Sequence, residues 1–124
     1  MRSGCSGRCR TLRTAAALWR EGMLLLAQND PATAEAMQRQ ALALVCGIGG
    51  FQVLQARIHN NIGVILSCAG KHAEASVEFA TALGLLQGRV TEDTGLHRII
   101  AKNHNTTLEA MPPARKPQEM ALAV

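Results

Sequence analysis

From Thr14 onward, apolar residues recur three and four positions apart, the spacing that lines one face of a helix. Ala15, Leu18, Trp19, Gly22, Leu25 and Leu26 mark a first helix that ends near Gln28. "NDP" then interrupts the pattern. Asp30 is placed to cap a second helix, and Pro31 suits its first turn, where no amide donor is needed. That helix runs to about Val45, carries Ala34, Met37, Ala41, Leu42 and Val45 on one side, and stops at "CGIGG". A third, from about Val53 to Ala69, shows Ala56, Ile58, Ile62, Gly63, Ile65 and Leu66, and Gly70 supplies the left-handed residue that closes a helix. His72–Leu86 follows with Ala75, Phe79, Ala82, Leu83 and Leu86 inward. After the polar "QGRVTEDTG", a fifth helix from Gly95 to Ala110 carries Leu96, Ile99, Ile100 and Leu108, until the prolines of "MPPARKP" end it. The pattern predicts an all-α fold.

The chain also repeats itself. At an offset of 41, Ala15 meets Ala56, Gly22 meets Gly63, Leu25 meets Leu66, Ala34 meets Ala75, and Ala41-Leu42 meets Ala82-Leu83. Each copy is a pair of helices. A glycine inside a helix costs about 1 kcal/mol against alanine, so Gly63 implies a close crossing there. Ala75 and Ala82 are expected to face that crossing, and Gly70 to make the turn. The architecture expected is two antiparallel helical hairpins and a fifth helix, stacked.

The run Gly63, Leu66, Gly70, Ala75, Phe79 and Ala82-Leu83 resembles a tetratricopeptide repeat, in which a small residue, a large one, glycine, alanine, an aromatic and alanine-leucine follow in that order. Gly22, Leu25, Asn29, Ala34, Gln38 and Ala41-Leu42 form a first copy that departs at Asn29 and at Gln38, where an aromatic is usual. "QALALVCGIGGFQVLQARIHNNIGVIL" resembles the longer variety of the repeat, near 40 residues, and "IAKNHNTTLEA" resembles the first helix of a third copy, with Asn105 echoing Asn60. The resemblance covers residues 14–110 and implies a short right-handed superhelix of about two and a half repeats. It also implies a concave groove lined by the first helix of each pair: Ala16, Trp19, Met23 and Leu26, then Arg57, Asn60, Val64 and Ser67, then Lys102 and Asn105. Asparagine suits peptide capture because its amide both donates and accepts. Arg57 and Lys102 suit carboxylates, and Trp19, Met23 and Leu26 an apolar anchor. Asn60 and Asn61 have a plainer alternative, bonding to neighbouring helices. Asn61 and Lys102 match two positions of the family's carboxylate clamp, but Trp19, Met23 and Thr106 occupy the others, so that specificity is not expected.

Composition narrows the picture further. A chain of 124 residues supports one domain. Aromatics are 2% with no tyrosine, so the core must be aliphatic and alanine-rich, which suits helices in close contact better than sheets. The net charge of +4 belongs to the ends: Arg2, Arg8, Arg10 and Arg13 lie in an acid-free start, Arg115 and Lys116 in the tail, and the middle is near balance. A nucleic-acid partner is therefore not expected. Residues 1–13 are expected to be a disordered basic N-terminus, and 111–124 a disordered tail. The Arg-rich start is similar in composition to an organelle transit peptide, but "TAAALW" is too short for a secretory core and "MLLLA" too short to span a membrane, so a cytoplasmic protein without membrane contact is expected.

Cys5 and Cys9 lie in the basic start, Cys46 and Cys68 in apolar surroundings that suit buried thiols, and no Cys-x-x-Cys occurs. His59 and His104 could meet across adjacent helices, but two ligands make a weak metal site. No G-x-S-x-G, P-loop or H-E-x-x-H occurs, and neither a cofactor nor enzymatic activity is expected. The function expected is a protein–protein interaction module that holds a peptide or partner helix. So few repeats leave apolar surface, so a homodimer or a larger repeat assembly is expected through Leu18, Met23, Leu24 and Leu26. The alternatives are a small secretion-type chaperone that sheathes an apolar client, and a fragment of a larger regulator.

Overall fold

The computed structural model describes residues 6–91 and 94–112. It contains five helices, α1 (Ser6–Ala27), α2 (Pro31–Ile48), α3 (Gln52–Cys68), α4 (His72–Leu86) and α5 (Gly95–Ala110), and no strand among the described residues. Each helix packs on the next, and α3 also meets α1 and α5, which sets the odd-numbered helices side by side. Three-residue connections at 28–30 and 69–71 fold α1 onto α2 and α3 onto α4 as antiparallel hairpins. α3 and α5 run parallel: Asn103 Nδ2 donates to Asn60 Oδ1 (3.0 Å), and Ser67 and Thr107 share a hydroxyl hydrogen bond of 2.8 Å one to two turns further along both. The protein is thus an all-α stack of helical hairpins.

The two hairpin turns are copies in atomic detail. In the second, Gly70 has φ 80°, its amide donates to the Ser67 carbonyl (3.0 Å), and the Lys71 amide to that of Leu66 (2.8 Å). In the first, Asn29 has φ 63°, its amide donates to Leu26 (2.9 Å), and the Asp30 amide to Leu25 (2.9 Å). These paired bonds satisfy carbonyls that the helix end would leave open. Asparagine tolerates the left-handed region better than other side chains do. Asn29→Ala is therefore expected to destabilise the protein by about 1–2 kcal/mol and Asn29→Gly to be neutral or stabilising, as read from denaturant midpoints. Met111, directly after α5 as Ala69 is directly after α3, is extended (φ −78°, ψ 144°) where Ala69 keeps φ −85° and ψ 2°, so α5 does not end in this way.

The crossing inside the second hairpin is closer to one ring than expected. A Cβ added at Gly63 would lie 2.6 Å from Phe79 Cε1, so the glycine makes room for Phe79. Phe79, Ala75 and Ala82 are all buried. In the first hairpin the same pair is Gly22 and Gln38: a Cβ on Gly22 would lie 3.1 Å from Gln38 Nε2. Gln38 is fully buried, and Nε2 donates to the Trp19 carbonyl (2.8 Å). Where the repeat pattern asks for an aromatic, this chain has an amide that bonds back to α1. Phe79 and Ile58, Ile62, Leu66, Leu86 and Ile100 join Ala15, Ala41, Val45 and Ala56 in one aliphatic core.

Two expectations change. Residues 6–13 are not a disordered start but the first turns of α1. Leu12 packs on the core there, the Arg8 guanidinium lies 5.1 Å above the Phe51 ring, and arginine is itself a good helix former. Residues 1–5 and 113–124 lie outside the described residues, so the expected disorder of the remaining ends has no counterpart here. Cys46 and Cys68 are exposed thiols, not buried ones. Cys46 directly follows the buried stripe of Ala34, Gln38, Ala41 and Val45, and one residue of helix rotates it off that face.

An ion-pair network ties α2, α3 and α4 together. Glu78 Oε1 lies 2.7 Å from His59 Nδ1, and Oε2 lies 3.6 Å from Arg39 Nη2, whose Nε also donates to Glu35 (2.9 Å). Burial pushes the Glu78 carboxyl up, but the hydrogen bond and charge of His59, with those of Arg39, outweigh it and hold the group below its ordinary 4.5. A depressed carboxyl stabilises the fold above its unfolded value, and that contribution is lost as pH falls through the folded one. The wild type should therefore exceed Glu78→Gln in urea midpoint above pH 4.5, and the margin should shrink as the pH falls below it. A margin that grew on acidification would contradict the network.

Candidate interaction face

α1, α3 and α5 present the surface on which the sequence places a groove. Between them lies a cleft of about 240 Å³ lined by Trp19 from α1, by Leu54, Arg57, Ile58, Asn60 and Asn61 from α3, and by Leu96 and Ile99 from α5. The apolar groups make up most of it, with one guanidinium and two carboxamides among them. Trp19 is held from behind, since its carbonyl accepts from the buried Gln38 amide. Asn61 Nδ2 reaches Gln38 Oε1 at 3.5 Å, so Gln38, from α2, touches both α1 and α3. Ile99 is 55% exposed at the rim.

The structure brings Trp19, Arg57 and Asn60 into this cleft. Val64 and Ser67 line a smaller one of about 140 Å³ farther along α3, with Cys68, Phe79, Asn103, Thr106 and Thr107. Asn60 is buried and bonded to Asn103, so its amide oxygen serves the α3–α5 contact. Ser67 is engaged in the same way by Thr107.

Lys102 and Asn105 are exposed and line neither cleft. α5 meets its neighbours through Leu96, Ile100, Asn103 and Thr107, a stripe at spacings of four, three and four. Lys102 and Asn105 lie off that stripe. It is Asn103, not Asn105, that meets Asn60, and the stripe itself is the sequence signal that separates the two asparagines. Met23 and Leu26 are half-buried and line neither cleft. The four residues of the expected dimer face are spread over more than one side of α1. Leu18, Met23 and Leu26 occupy one half-buried arc, while Leu24, 58% exposed, lies about 100° round the helix from Met23.

Comparison with protein-family models, with curated proteins and with solved structures finds no match. What the face can do therefore follows from its own residues. No group of three or more His, Cys, Asp or Glu side chains among the described residues is placed to hold a metal ion. His59 is turned to Glu78, and the His104 ring lies 6.4 Å from that of Phe79, so the two histidines serve different neighbours. No described helix is long and apolar enough to cross a membrane. An indole, aliphatic side chains, free carboxamide edges and one guanidinium make a surface suited to side-chain capture with hydrogen bonds to a peptide backbone.

Proposed function

We propose that this chain is a protein–protein interaction module of tetratricopeptide-repeat type, acting in the cytoplasm, which holds a peptide or partner helix across α1, α3 and α5. The observation that carries the reading is the cleft that unites Trp19, Arg57, Asn61 and Ile99 from three helices on one face. The 41-residue offset, with its matched turns at Asn29 and Gly70, supports the repeat assignment. An apolar anchor buried in such a cleft supplies most of the affinity, while the amides and Arg57 set register.

The test uses the chain immobilised beside two variants, Arg57→Ala and Ile99→Asp, both at exposed positions so that the fold is kept. A stoichiometric partner retained by the wild type should be lost by Ile99→Asp and weakened by Arg57→Ala, with crosslinks mapping to α1, α3 and α5. Equal retention by all three proteins would remove the face from consideration. Asn60→Ala is a poor probe here, because Asn60 joins α3 to α5 and its loss would disturb the fold itself.

A further inference from the structure

A second cleft, of about 560 Å³, opens around the start of α3 and is lined by Phe51, Gln52, Val53, Leu54, Arg57 and Arg89. Leu54 and Arg57 also line the cleft between α1, α3 and α5. The two therefore adjoin at Leu54 and Arg57 along one groove face, the first apolar and amide-lined, the second cationic. Among the described residues, no acidic side chain lines either part. Neither Arg57 nor Arg89 forms an ion pair among the described residues, and Arg89 Nη1 is positioned by the Leu85 carbonyl (3.2 Å). Arg8 adds a third guanidinium over the Phe51 ring. The start of α3 adds to the same sign. Phe51 at its N-cap makes no side-chain capping bond, and its first turn holds no acid, so open amides and the positive end of the helix dipole reach the same mouth.

We propose that this groove selects an acidic-aliphatic peptide, with a branched aliphatic side chain lodged among Trp19, Leu54, Leu96 and Ile99 and carboxylates lying over Arg57 and Arg89. The inference rests on the interaction face argued above and adds the chemistry of the partner. Charge complementarity selects the occupant: two guanidinium groups without an ion pair among the described residues and a helix N-terminus want anions, and the apolar end beside them wants a hydrocarbon. A nucleic acid carries charge at every residue, whereas this groove is cationic at one end only.

The experiment pans a display library of random dodecapeptides against the whole chain, then measures the selected peptides by fluorescence anisotropy against wild type, Arg57→Glu and Arg89→Glu. Both positions are exposed, and circular dichroism checks that each variant stays folded. The expected result is enrichment of Asp or Glu near Leu or Ile, affinity that falls about tenfold with each reversed charge, and weakening by added salt. Selected peptides without acids, or acidic peptides indifferent to both reversals, would overturn this inference while leaving the interaction face in place. No enrichment at all would overturn both. An oligothymidylate dodecamer that bound as tightly and lost binding in the same variants would assign the arginines to phosphate and likewise overturn it.

Discussion

Phe79→Ala is expected to lower the stability of the fold by about 3–5 kcal/mol, the range for removing a buried aromatic ring. Small domains are commonly stable by about 5–15 kcal/mol in total, so this change alone removes a large part of the margin. Phe79 is the largest fully buried side chain, and its ring is the one that a Cβ on Gly63 would meet at 2.6 Å. The partner substitution makes the argument sharper. Gly63→Ala improves helix propensity by about 1 kcal/mol but drives a methyl into the ring, and overpacking of that kind costs about 1–3 kcal/mol. In the wild type the clash should win. In the Phe79→Ala background the ring is gone, the methyl enters vacant space, and the same substitution should become stabilising. Urea titrations of the two single variants and the double variant measure the change of sign directly. If Gly63→Ala proved neutral in both backgrounds, the two helices would not be crossing through this pair.

Gln38→Ala should cost about 2–5 kcal/mol, as for other buried side chains of this length. Gln38→Leu keeps most of the volume and discards the amide, and should cost about 1–3 kcal/mol from the lost bond to the Trp19 carbonyl. The two together separate packing from hydrogen bonding. Both variants carry a second readout. Gln38 supports Trp19 from behind and reaches Asn61, so indole fluorescence should shift in Gln38→Leu even where the protein remains folded. An unchanged spectrum with full stability would show that the amide has no part in shaping the cleft.

The elements that were legible in the sequence share one property: they depend on neighbours close along the chain. Helix periodicity, the Asp30 cap and the left-handed turn at Gly70 are local, and α4 and α5 fall on the expected boundaries. The internal offset was legible too, because two hairpins that solve the same packing problem keep the same residues at Gly22 and Gly63. The start of α1 was not. Its arginines suggested a solvated end, while the contacts that hold it, Leu12 on the core and Arg8 on Phe51, come from residues far apart in sequence.

The candidate site divides in the same way. Trp19, Arg57 and Asn60 were placed on a shared face by the resemblance to the repeat, and they line one cleft. Which of their groups remain free was decided across helices: Asn60 is bound by Asn103, and Ser67 by Thr107, both from α5. Local periodicity determines that the described residues make five helices and which stripe of each turns inward, because backbone geometry fixes the angle between successive side chains. Only the tertiary structure decides that two adjoining clefts share Leu54 and Arg57, and that Gln38, at the place Phe79 holds in the second hairpin, bonds its amide to the Trp19 carbonyl. Those arrangements depend on how far one helix slides along another, a distance that is set by side chains meeting in the core.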